Sequence, residues 1–243
     1  MSEEEKLPSY EDYYRALTPA VHTNETDRIF WTLNGPLHSS IWIMSRGALK
    51  PYAQETDESN PTWHPISQCP LTEPKVSSIT VQVYELDHWE DDWLNLHTRH
   101  RDDPEPGEPL SGEGFHYGPL TDYDPEVDGP GLSEEHPVHL VECCGEPRPR
   151  GKTLEVVVQP SPGNAFVTIH DWLSTLHPRL LEARDDIIDS MCMMYDRERP
   201  AEVKLFVRHP STSCLMFTLD YQESAHWMSH ARRSRPCPVA DDD

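Results

Sequence analysis

The sequence predicts an α+β fold: a mostly antiparallel sheet with helices packed on one face, interrupted by a long acidic Pro/Gly-rich insertion. Three observations carry that expectation. Residues 77–86, SSITVQVYEL, alternate Ile79, Val81 and Val83 with Thr80, Gln82 and Tyr84, the period of two of a half-buried strand. Residues 166–190, FVTIHDWLSTLHPRLLEARDDIIDS, carry an apolar stripe at helical spacing. Strand-like runs flank that stripe at hairpin-length separations, the pattern of a layered α+β domain.

Taken in order, residues 1–30 form a polar, aromatic N-terminal segment with a short helix expected around Tyr10 to Leu17. A single α+β domain is expected over 31–221, opening on a strand at SSIWIMSR (Ser39 to Arg46). Residues 47–77 contain Pro51, Pro61, Pro65, Pro70 and Pro74 and read as a wandering connection. In DHWEDDWLNLHTRHR, Trp89, Trp93, Leu96 and His100 share a helical face. Residues 101–137 are rich in acid, Pro and Gly and nearly lack Lys and Arg, so they are expected as an insertion too polar to pack. VHLVECC and TLEVVVQ are then two strands, with RPRGK turning the chain between them and Gly151 accepting a positive φ. AEVKLFVRHP and SCLMFTLDYQ are two further strands. Residues 222–243 close the chain with a helix at ESAHWMSHARRSR and an acidic tail.

The 166–190 stretch raises a local question, because Pro178 falls in the middle of its stripe. Thr168 and Asp171 form a capping box at its start. Inward positions run Ile169, Trp172, Leu173, Leu176, Leu180, Ala183, Ile187, Met191 and Met194. Proline cannot donate to the carbonyl of Ser174 and disfavours helix at His177. Two helices in near register are therefore expected, with Pro178 in the first turn of the second; one kinked helix is the rival. His170 and His177 lie off the stripe and read as surface residues. TLEVVVQ, a turn, FVTIHDWLSTLHPRL and the later AEVKLFVR together resemble a fungal domain family of unknown function, over residues 138–221. That resemblance implies a fold motif and a fungal intracellular protein, with no activity to place on particular residues.

Charge narrows the function. Against 43 Asp and Glu stand 20 Lys and Arg, a formal net of −23. Such a surface repels nucleic-acid phosphates and anionic membranes and attracts cations or basic partners. MSEEEKLPSYEDYYRAL has no apolar core, so no secretory leader is expected, and no run approaches the length of a membrane span. Cys69, Cys143, Cys144, Cys192, Cys214 and Cys237 form no CxxC pair, which predicts reduced thiols and a cytoplasmic setting. The basic ARRSRP patch opens the nucleus as an alternative.

Chemistry-bearing residues cluster in ELDHWEDDWLNLHTRH. His97 and His100, three apart on a helix, are candidate metal ligands with His116 or Asp87 as a third, and Asp87 or Glu90 the candidate base. No HExxH or GxSxG motif is present. HWMSH sets His226 and His230 four apart, with Cys237 beyond. TDYDPEVDGPG has some of the acid spacing of a calcium loop, at Asp122, Asp124, Glu126 and Asp128, but lacks its glycine and closing glutamate. Cys143 or Cys144 could supply a thiolate near His139, although cysteines ending an apolar strand are commonly buried. Leu7 to Tyr10, LPSY, has the look of a ligand for a WW-type module.

Two functions from different classes follow. One is a non-enzymatic acidic interaction protein that binds a protein partner through its loop and tails. The other is an enzyme using an aromatic, His/Asp/Glu-lined cleft around residues 84–117 for metal-assisted hydrolysis or proton transfer. No particular cofactor is implied.

Overall fold

The computed structural model describes residues 7–45, 48–54, 61–98, 108–129, 131–132, 138–195, 197–208 and 213–219. The first half runs α1 (Tyr10–Arg15), β1 (Val21–His22), β2 (Ile29–Trp31), α2 (Leu37–Ser40), β3 (Ile41–Ser45), β4 (Ala48–Pro51), β5 (Thr72–Glu73), β6 (Ile79–Val83), α3 (Tyr84–Asp87) and α4 (Trp89–His97). The second half runs β7 (Ser111–Gly112), β8 (Phe115–Gly118), β9 (His139–Cys143), β10 (Glu146–Pro147), β11 (Val156–Val158), α5 (Ile169–Glu182), α6 (Arg184–Met194), β12 (Phe206–Arg208) and β13 (Cys214–Thr218).

The fold is α+β with mostly antiparallel sheets. One sheet is ordered β11-β6-β13-β12 and a second β2-β3-β4; a single bridge between Thr32 and Phe206 joins their edges. A third is ordered β10-β9-β8-β7, and β1 pairs with β5. Only β13 and β6 pair in parallel among the described strands. The β6 alternation holds, with Ile79, Val81 and Val83 buried. The main core draws residues from Ala20 to Phe217, while a satellite of Trp93, Tyr117, Leu140 and Cys143 lies under the third sheet.

The opening segment is anchored. Ser9 and Asp12 form a capping box for α1, the Tyr10 amide bonds the Ser78 carbonyl, and Glu11 accepts from the Thr80 amide. Leu7–Tyr10 therefore leads into an anchored helix, with Ser9 as its cap and Tyr10 its first residue.

The α5 capping box forms as its residues predict, the Thr168 hydroxyl accepting from the Asp171 amide and Asp171 from the Thr168 amide. The expected break at Pro178 does not. α5 continues through Pro178 to Glu182, and the chain breaks instead at Ala183. Pro178 is exposed, so its missing hydrogen bond faces the wet side of the helix, where its cost of about 3 kcal/mol is smallest to offset by packing. The surface reading of the two histidines is corrected as well. His177 is buried, and His170 is half-buried, its Nδ1 2.9 Å from the Tyr52 hydroxyl. The stripe is wider than a one-sided amphipathic helix requires because α5 is covered twice. β11 packs on it, and residues near Gly35, Tyr52 and Trp63 cover it as well.

The expected hairpin between VHLVECC and TLEVVVQ is also corrected. β9 turns at once through Cys144 and Gly145 into β10, and β11 leaves for another sheet, where it pairs with β6. The described part of the acidic insertion is mostly exposed, with Tyr117 and Gly118 buried. β7 and β8 extend the third sheet, and Arg150 binds Asp122, Asp128 and Glu90 while Arg148 binds Glu90 and Asp128. Asp122, Asp124 and Asp128 of the calcium-like stretch are thus taken by arginine and backbone: Asp124 accepts from the Glu126 amide, and Asp128 from the Asp124 amide. Charge neutralisation from residues 148 and 150 orders a stretch whose own composition could not.

Candidate functional site

A cleft of about 770 Å3 opens between α4, the β9–β10 hairpin, α6 and the segment that follows it. Trp89, Trp93 and Leu96 enter from α4, Pro147 and Pro149 from the hairpin side, and Met193 from α6. Glu146, Asp189, Arg197 and Glu198 supply its charges.

Its floor is built by two local features. Trp89, Trp93 and His97 stand four apart on α4, so one stripe faces inward. Trp93 sinks into the satellite core, and His97, at 2% exposure, follows it one turn later; their rings lie 4.4 Å apart. Opposite, Cys144 and Gly145 form a two-residue turn with φ of 55° and 82°. Two positive φ values mark the turn type that matches strand twist, where Asn-Gly or Asp-Gly is the usual sequence. That turn leaves Cys143 buried on β9 and Cys144 exposed at the tip.

One nitrogen of His97 and the sulfurs of Cys143 and Cys144 all lie within 4.8 Å of one another, the one such group of three possible ligands among the described residues. The two sulfurs are 3.8 Å apart. Glu146 Oε2 sits 3.5 Å from His97 Nε2. Burial, then the neighbouring thiol, push the Cys143 thiol up to about 11, so without a cation beside it this sulfur stays protonated. Thiolates and an imidazole converging at a cleft can hold a soft metal ion.

Of the other candidate site residues, His116 on β8 is exposed, its Nδ1 2.7 Å from the Ser111 hydroxyl, and it does not join the His97 group. Asp87 and Glu90 line a separate hollow of about 50 Å3. Asp87 is raised by burial, as a base poised for proton transfer would be. Glu90 accepts from both Arg148 and Arg150, so its carboxylate is engaged in ion pairs. His100, His226, His230, Cys237 and the ARRSRP patch lie outside the described residues.

What reading along the chain missed is that, among the described residues, His97 meets Cys143 and Cys144 rather than His116, and that their imidazole is His97 rather than His139. One local signal was available: a cysteine before Gly145, where a tight turn favours Asn or Asp.

Among the described residues no helix is long and apolar enough to cross a membrane. No protein-family model matches the chain, and no curated protein or solved structure does either.

Proposed function

We propose that the chain is a non-enzymatic acidic interaction protein that takes a cationic, partly apolar segment of a partner protein into the cleft beside α4. The observation that supports this best is the cleft itself, with tryptophan, leucine, proline and methionine on its walls and Glu146 and Glu198 at its edges. The net charge of −23 adds long-range attraction for such a segment. Contact moves from the loop to the cleft because Asp122 and Asp128 are already held by Arg150. None of the five described cysteines is joined in a disulfide, which suits a cytoplasmic or nuclear setting. The fungal-family resemblance over residues 138–221 adds no activity to this reading.

The test is binding of short peptides that alternate Lys with Leu or Phe, followed by fluorescence anisotropy, against counterparts with Glu in place of Lys. Basic peptides should bind with an affinity that falls as salt rises, and Leu96→Arg should abolish it. Equal binding of both sets, or binding indifferent to Leu96→Arg, would overturn the proposal.

A second reading, an enzyme working by metal-assisted hydrolysis or proton transfer, is favoured by His97 standing beside two thiols at the cleft floor. Zn2+-dependent turnover of an ester or phosphoester reporter, lost in His97→Ala, would put it ahead.

A further inference from the structure

We infer that His97, Cys143 and Cys144 form a site for one borderline-soft divalent ion, Zn2+ by preference, with its fourth position open to the cleft.

The donor set comes first. Two sulfurs and an imidazole select zinc-like ions and discriminate against magnesium and calcium, which take oxygen. Distances agree with it. Two thiolates at about 2.3 Å from a zinc ion, separated by a tetrahedral angle, stand about 3.8 Å apart; the two sulfurs stand 3.8 Å apart here. An imidazole nitrogen on the same ion would lie about 3.5 Å from each sulfur. The 4.8 Å group therefore needs only a small closure.

The covalent alternative is disfavoured by geometry. Adjacent Cα atoms across a trans peptide are about 3.8 Å apart, short of the roughly 4.4–6.8 Å that a relaxed disulfide spans. The pair therefore persists as two thiols. Cys144 also holds a left-handed φ of 55° that Asn would adopt with less strain, and in that conformation its sulfur stands beside Cys143 and His97.

The surroundings fit a zinc ligand set. Glu146 Oε2 stands 3.5 Å from His97 Nε2, placing a carboxylate beside the imidazole where its negative charge favours a bound cation. Three protein ligands and an open fourth position are the arrangement of ions that meet an exogenous group. This site stands whether or not a peptide occupies the cleft.

The experiment uses the full chain, reduced and stripped with a chelator, then titrated with Co2+ as a spectroscopic surrogate. One equivalent should produce thiolate-to-cobalt charge-transfer absorption and tetrahedral visible bands, both erased by Zn2+. Cys144→Ser and His97→Gln should each weaken binding by about tenfold or more, while His116→Gln and Cys192→Ser leave it unchanged. Cys144 is exposed, so its variant keeps the fold, checked by circular dichroism, and it carries the test if His97→Gln does not fold. Absence of the charge-transfer band at stoichiometric Co2+, or a band that survives Cys144→Ser, would overturn the site and show structural thiols only. Loss of the band in His116→Gln would overturn this ligand set in favour of one that includes His116.

Discussion

The indole Nε1 of Trp31 donates a 2.9 Å hydrogen bond to Nδ1 of His177. That contact fixes the tautomer: Nε2 must carry the ring proton, and it faces the Gly35 carbonyl at 2.8 Å. The imidazole is thus neutral, fully bonded and buried, tying α5 to β2 and to the turn before α2.

Replacing His177 with Ala should cost about 2–4 kcal/mol, the sum of an unsatisfied buried indole N–H and a small cavity. Urea denaturation measures it. Burial holds His177 below the ordinary histidine value, outweighing the Gly35 bond. The folded state therefore binds fewer protons than the unfolded chain, and stability should fall as pH drops below about 6.5. A His177→Phe variant whose acid-side decline matches the wild type would remove His177 as its source.

Much of the fold was legible wherever one element decides its own structure. The β6 alternation and the Thr168–Asp171 box are written in consecutive residues, and both form as read. Legibility ended where distant residues decide. Pro178 sits in a helix interior because the helix around it is packed on two sides, and His177 turns inward because Trp31, 146 residues away, offers a proton. The site divides the same way. His97 carried a metal-ligand expectation from its own neighbourhood, but its partners Cys143 and Cys144 arrive on a sheet whose pairing no local pattern announces.

Glu85 should make alkaline pH destabilising. Its carboxyl, 4% exposed, accepts from the Phe217 amide at 2.6 Å, where β6 has ended and β13 needs another acceptor. Burial raises it to about 7, outweighing that hydrogen bond. Here the folded state holds the extra proton, so this contribution is complete below about 4.5 and is lost as pH rises through about 7. The full swing is roughly 3 kcal/mol. Glu85→Gln, which keeps the acceptor and cannot ionise, should raise the melting temperature at pH 8 and leave it nearly unchanged at pH 5. A shift of equal size at both values would mean that ionisation of Glu85 is not the cause.

Arg150 should hold the acidic stretch in place. Asp128, with a side chain only 1% exposed, is neutralised by Arg150 and Arg148, and these arginines keep its carboxyl below the usual range. Arg150→Ala leaves a buried carboxylate half-compensated, and breaking such pairs costs about 3–5 kcal/mol at full burial. Hydrogen exchange should accelerate first across residues 119–129. If exchange there stays at the wild-type rate while the core loosens, the arginine stabilises the sheet and not the loop.

Cys144→Asn should separate stability from binding at a single position. Asn enters the left-handed region more readily than cysteine and is the favoured first residue of a two-residue hairpin turn before glycine. The metal-free chain should gain about 0.5–1 kcal/mol in chemical denaturation while losing the thiolate-to-cobalt absorption. A natural cysteine that costs stability at a turn tip, and whose removal costs only ion binding, is retained for chemistry. Unchanged stability with lost binding would still leave the sulfur as a ligand but would show that the turn carries no strain. Loss of stability in Cys144→Asn would instead make Cys144 a packing residue of the hairpin.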